Sequence, residues 1–299
     1  MKHHILKVCS YVKITKENIN KIRTAEKSQT TVTKIDWTLK KLEVEENTCK
    51  EFLLRSNSLN NYNPPVCTVN GEIYTQKIET LPLLSTTWGQ GVGYNNLLNN
   101  GNCTAYSNGK YPTGCVATAM AQILKFNHYP SSTYNYSLMP GNTGSNETSK
   151  LMKDLGSQVA MNYACSGSGA QMSKAESAFR MHHNYKNAKL ANYDANKVFS
   201  EIAKGHPVML SGTDVSQNVG HAWIADGSLS YINYECELGE DDGDPYTDEY
   251  TWNYKYQINS LHLNWGWNGS YNGYFSLNRF TPGDDNYSAD LKMITNLYN

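Results

Sequence analysis

The stretch Thr113-Gly114-Cys115-Val116-Ala117-Thr118-Ala119-Met120 leaves the chain little choice of local structure. Val116, Ala119, Met120, Ile123 and Leu124 fall at i, i+3, i+4, i+7 and i+8, an apolar face recurring at helical period. Tyr129-Pro130 closes the segment. Cys115 therefore sits on the first turn of a buried helix, where unpaired N–H groups and the positive end of the macrodipole favour an anion. A thiol there is expected to lose its proton more readily, and the thiolate is the nucleophilic form. A lone cysteine in such a place is more often a small buried residue than a nucleophile. Three other segments change that weighting.

Val219-Gly220-His221-Ala222-Trp223-Ile224-Ala225-Asp226-Gly227 is apolar around one histidine and reads as a buried strand bounded by Gly220 and Gly227. Near a thiol, His221 becomes a candidate base that takes the proton from sulfur and later returns it to the leaving group. Cysteine followed at long range by histidine is the order of papain-like enzymes. In Leu261-His262-Leu263-Asn264-Trp265-Gly266-Trp267-Asn268-Gly269, a strand delivers Asn264 and Trp265 into a Gly-rich turn. Either an amide or a backbone carbonyl from this turn suits the imidazole, with an indole to shield the bond. Upstream, Trp88-Gly89-Gln90-Gly91 sets a glutamine between glycines shortly before the cysteine helix. Taken alone, Gln90 is a turn residue; beside the other segments it is a candidate oxyanion donor, a role worth roughly 3 kcal/mol of barrier.

These four segments together resemble the streptopain family of cysteine peptidases, including relatives from the Bacteroides group. The resemblance covers about residues 80 to 299 and rests on four motifs in order: Trp-Gly-Gln-Gly with Tyr-Asn, Thr-Gly-Cys-Val-Ala-Thr-Ala-Met-Ala-Gln-Ile, Gly-His-Ala-Trp-Ile-Ala-Asp-Gly, and Asn-Trp-Gly-Trp-Asn-Gly with Gly-Tyr-Phe. It implies an α+β, papain-like domain whose helical half carries Cys115 and whose antiparallel β half carries His221. It also implies a cysteine endopeptidase acting on proteins or peptides through a thioacyl intermediate, exported as a zymogen, in a family associated with virulence. By motif, Cys115 is the nucleophile, His221 the base and acid, and Gln90 an oxyanion donor. Asn264 and Trp265 form the segment that orients the histidine, the choice between them left open. Two alternatives share the fold: another acyl-transfer enzyme, and a catalytically silent binding module.

The remaining composition narrows the partners. A net charge of −1 offers no basic footprint for nucleic acid, and no run is long enough to span a membrane as a helix. No cofactor or metal is expected. The His182-His183 pair cannot chelate from one helix face, and dipole compensation at a helix end is the expected role. The acidic tip Glu240-Asp241-Asp242-Gly243-Asp244 lacks the alternation of a calcium loop and reads as a solvated hairpin end. Seven cysteines look too few and irregular for a disulfide scaffold, though their odd number leaves at least one thiol free.

Residues 1–76 are expected to be an N-terminal segment and 77–299 the peptidase domain. The first part is rich in Lys, Glu, Asn and Thr, with an irregular helical patch from Trp37 to Leu54 and a break at Asn60 to Pro65. Its position suggests a short inhibitory pro-region, cut near Tyr74 to Thr80; an unrelated stalk is the other reading. Lys7 and Lys13 interrupt the apolar start, so no clear export signal is legible, and an extracellular or cell-surface site follows from the resemblance alone. In the middle, Ser131 to Ser149 reads as a polar loop, Lys150 to Gly156 as a helix ended by glycine, Lys174 to His183 and Val198 to Ala203 as helices, and Pro207 to Leu210 as the entry to a buried strand.

Overall fold

A computed structural model describes residues 65–238 and 250–298. The Trp37–Leu54 patch, Cys9, Cys49 and the Glu240–Asp244 tip lie outside them. The chain divides into two compact units, one of residues 79–229 with 259–299, the other of residues up to 78 with 230–258.

The larger unit opens its helical part with α1 (Cys115–Asn127), in which every residue from Val116 to Leu124 is buried. Its N-cap, Gly114, has φ +89° and makes no side-chain cap. A Cβ there would stand 2.6 Å from the Met161 sulfur and 2.9 Å from the Ser168 carbonyl, so only glycine allows this entry to the helix. The Thr118 hydroxyl donates to the Gly114 carbonyl at 3.0 Å. The helix stops at His128, a left-handed C-cap, just before the Tyr129-Pro130 peptide.

Where a polar loop was expected over residues 131–149, the chain makes a short 3-10 turn at Tyr136–Leu138 and then begins α2 (Asn146–Gln158). Ser145 caps α2 by accepting from the Thr148 amide, a signal that a loop-like composition hides. Nor does α2 end at Gly156; it continues to Gln158, and Gly156 is the point where the Tyr163 hydroxyl packs against the helix. Helix α3 (Met172–His182) buries Ala175, Ala178 and Phe179 as the periodicity predicts. Helix α4 (Ala195–Ala203) is capped by the Asp194 carboxylate.

Among the described residues, seven strands follow in order as β1 (Ile73–Thr80), β2 (Lys189–Asn192), β3 (Val208–Asp214), β4 (Val219–Leu238), β5 (Tyr250–Asn264), β6 (Gly273–Ser276) and β7 (Ala289–Thr295). Their order is β2-β7-β3-β4-β5-β6, with β1 also on β4. The β2–β7, β3–β7, β3–β4 and β5–β6 pairs are antiparallel. Strand β4 does not end at Gly227. Gly227 is instead a close approach, since a Cβ there would lie 2.9 Å from the His262 Cβ and 3.0 Å from the Thr80 carbonyl.

Alternation along β4 then sorts its side chains between two environments. Ala222 and Ile224 join Met209 and Ile294 in one core with α1, α2 and α3. His221 and Trp223 lie among the aromatic rings of Trp265 and Tyr287.

In the smaller unit, β1 pairs with β4, with the Tyr74 ring stacked on Tyr234. The Gly71 amide donates to the Cys236 carbonyl and the Cys236 amide to that of Glu72. A disulfide joins Cys67 to Cys236, and a second, in the larger unit, joins Cys103 to Cys165. Four of the five cysteines among the described residues thus staple the fold twice, contrary to the sequence reading. The spacings of 169 and 62 residues carry no motif, because the tertiary structure alone brings these pairs together.

Candidate active site

Cys115 is the free cysteine of the described residues, partly exposed at the start of α1. Its sulfur accepts backbone hydrogen bonds from Ala222, Val116 and its own amide, which favour the thiolate. Burial outweighs them and pushes the thiol's pKa up. The easy loss of the proton expected from the helix position is thus opposed by burial, although the helix end supplies donors.

The Ala222 amide brings Cys115 beside the residue that follows His221 on β4. His221 is buried, and its Nε2 lies 2.9 Å from the Trp265 carbonyl oxygen. A carbonyl only accepts, so Nε2 carries the proton and Nδ1 is left as the basic nitrogen. Burial drives the imidazole pKa down to about 4, while the Trp265 carbonyl and the Asp285 carboxylate pull the other way. The ring is packed by Trp267 at 4.7 Å, Tyr287 at 5.2 Å, Trp265 at 6.0 Å and Trp223 at 6.1 Å between centroids. Gly212 lies directly opposite His221 on β3, where the Tyr287 backbone carbonyl fills the space a side chain would need.

Of the Asn264–Trp265 segment, it is the backbone carbonyl of Trp265 that meets the imidazole. The Asn264 amide is engaged elsewhere, donating to the Thr86 carbonyl at 2.7 Å and accepting from the Gly266 amide at 3.1 Å. Gln90 belongs to a strap tied down at several points. Its carbonyl accepts from the Thr113 amide at 3.0 Å, two residues before Cys115. The Trp88 indole donates to the Pro140 carbonyl at 2.7 Å, and the Leu84 amide to the Asp226 carboxylate at 3.2 Å. Asp226 also meets His262 Nδ1 at 2.7 Å.

Sequence reasoning missed Tyr287, whose ring packs near the imidazole, and Asp285, whose charge favours the imidazolium; both come from a loop with no motif. It also passed over Gln122, the one amide within the buried run of α1, although a polar residue at a core position is a visible signal. His183 does not compensate a helix dipole. It is buried, bonded through Nε2 to Gln158 Oε1 at 2.7 Å, and held neutral with a pKa of about 4.

A family model, the Peptidase C10 family, matches residues 88–139 and 131–275. The chain belongs to the Peptidase C10 family. Among C10 relatives, thiol protease/hemagglutinin PrtT of Porphyromonas gingivalis is 29% identical over 256 residues, 69% of this chain and 25% of that protein. Streptopain of Streptococcus pyogenes is 26% identical over 214 residues, 57% of this chain and 46% of its own length. The chain thus spans a quarter of the first relative and less than half of the second. Active interpain A cysteine protease of Prevotella intermedia superposes with a TM-score of 0.58 at 27% identity, covering 74% of this chain and 96% of that one. A prointerpain A fragment from the same organism gives 0.53 at 25% identity, covering 84% and 81%. The C10 chain accordingly has the α+β, papain-like fold expected from its motifs.

Proposed function

We propose that this chain is an endopeptidase that cleaves proteins through Cys115 and His221. The observation that carries the reading is the pairing of a free thiol, at a helix N-terminus beside the Ala222 amide, with an imidazole tied through Nε2 to the Trp265 carbonyl. Burial disfavours the charge on either group. His221 Nδ1 takes the thiol proton as Cys115 Sγ attacks the scissile carbonyl. The oxyanion is held by the Cys115 amide and the Gln90 side chain. Nδ1 then passes its proton to the departing amine, leaving a thioester. Water attacks that ester, giving a proton to Nδ1, and the acid leaves as Cys115 Sγ regains the proton. Trp265 and Asp285 favour the imidazolium during each transfer.

The same proposal takes residues 1–76 as a short pro-segment and assigns the protein to an extracellular or cell-surface setting. The two disulfides suit an oxidising compartment. Processing is expected near Tyr74 to Thr80, at the end of this segment, a stretch that lies in β1.

The test is hydrolysis of casein and a fluorogenic peptide by the full chain, alongside labelling with an epoxysuccinyl probe. Cys115→Ala and His221→Ala should each abolish cleavage, with Cys115→Ala also abolishing labelling. Cleavage retained by either folded variant refutes the assignment. Turnover of purified cell wall without casein cleavage would favour another acyl-transfer reaction.

A further inference from the structure

We infer that Gln122 is a positioning residue for this reaction, acting through Asn264 to aim the carbonyl that holds His221; the inference rests on the Cys115–His221 reading. Gln122 lies seven residues along α1 from Cys115, roughly 10 Å at helical rise, and is fully buried. Its Oε1 accepts from the Trp88 amide at 3.1 Å and from Asn264 Nδ2 at 3.2 Å, and its Nε2 donates to Asn264 Oδ1 at 3.3 Å. The two amides therefore face each other in a reciprocal pair.

The accounting on Asn264 is complete. Both Nδ2 hydrogens are used, one on Gln122 and one on Thr86, and Oδ1 accepts from Gln122 and from the Gly266 amide. The Gly266 amide belongs to the same planar peptide as the Trp265 carbonyl. Fixing its N–H on Asn264 Oδ1 fixes the direction of its C=O, and that oxygen meets His221 Nε2. A continuous set of bonds thus runs from α1 through Gln122, Asn264 and one peptide plane to the imidazole. The second arm of Gln122, on the Trp88 amide, reaches the strap two residues before Gln90. One side chain on the nucleophile's helix sets the places of both the base and the oxyanion donor. Such a bridge ties together a helix, a turn and a strap that are far apart in sequence.

A merely structural amide would change stability and leave the chemistry of folded molecules intact. The experiment compares full-length wild type, Gln122→Met and Gln122→Glu, with rates normalised to epoxysuccinyl-labelled sites and folding followed by circular dichroism. Displacing a catalytic group by about 1 Å can cost roughly 100-fold. Gln122→Met should accordingly lower kcat by about that factor, with KM within about threefold. Gln122→Glu keeps the acceptor for Trp88 but sets an oxygen against Asn264 Oδ1, so it should be impaired at pH 8. As the buried carboxyl takes up a proton it can donate again, and its activity relative to wild type should rise toward pH 5.5. A kcat within threefold of wild type in either folded variant at pH 8, or a relative activity of Gln122→Glu that is flat with pH, overturns the inference. If Gln122→Met does not fold, Gln122→Glu decides. Cys115→Ala runs in the same assay, so residual cleavage by that variant marks failure of the dyad reading and not of the Gln122 role.

Discussion

Gly212→Ala adds one methyl group and should damage both stability and catalysis. The new Cβ would lie well inside 3.0 Å of the Tyr287 backbone carbonyl, 2.9 Å from Leu291 Cδ2 and 3.1 Å from the Trp223 ring. A leucine methyl can turn aside; a backbone carbonyl cannot. To regain ordinary contact the Tyr287 backbone must retreat by more than ~1 Å, taking with it a ring whose centroid lies 5.2 Å from that of His221. Overpacking of this kind costs about 1–3 kcal/mol. At ~2–4 °C per kcal/mol for a domain of this size, Tm should fall by roughly 2–12 °C. Displacing the imidazole by a comparable distance should lower kcat by about 100-fold. Differential scanning calorimetry gives Tm, and peptide hydrolysis at a temperature below the variant's Tm gives kcat. Unchanged Tm with wild-type kcat would show that the sheet and the Tyr287 loop yield without cost, and would refute the argument that Gly212 is there to admit Tyr287.

Stability should also depend on pH through two buried imidazoles. His221 and His183 have folded pKa values of about 4 against an ordinary 6.5, so the unfolded chain binds more protons between those values. Their contribution is complete above pH 6.5 and declines as pH falls toward 4, by at most roughly 3 kcal/mol apiece. Urea midpoints from pH 7.5 to 4.5 should drop, and a flat profile for both wild type and His183→Gln would contradict this. The Cys67–Cys236 disulfide makes a covalent prediction. A chain cut at the exposed turn around Val69 should migrate as one species without reductant and as two with it; separation without reductant would exclude the bond.

The sequence by itself carried the elements of the candidate site a long way. The helical period from Val116 to Leu124 is a local property of side-chain spacing, and α1 begins at Cys115 as that spacing requires. The buried strand around His221 and the helix of Ala175, Ala178 and Phe179 were legible for the same reason. Four motifs in order were enough to place the chain in its family. Tertiary structure decided what depends on neighbours distant in sequence. Whether Asn264 or Trp265 meets His221 turns on where Gln122 and Thr86 draw the asparagine amide. The Cys115 thiol is governed by desolvation as well as by its helix position, and no local pattern reports desolvation. Both disulfides, the continuation of α2 through Gly156 and of β4 through Gly227, and the aromatic shell of His221 belong to the same class. Periodicity records which face of an element is buried; only the folded chain records what it is buried against.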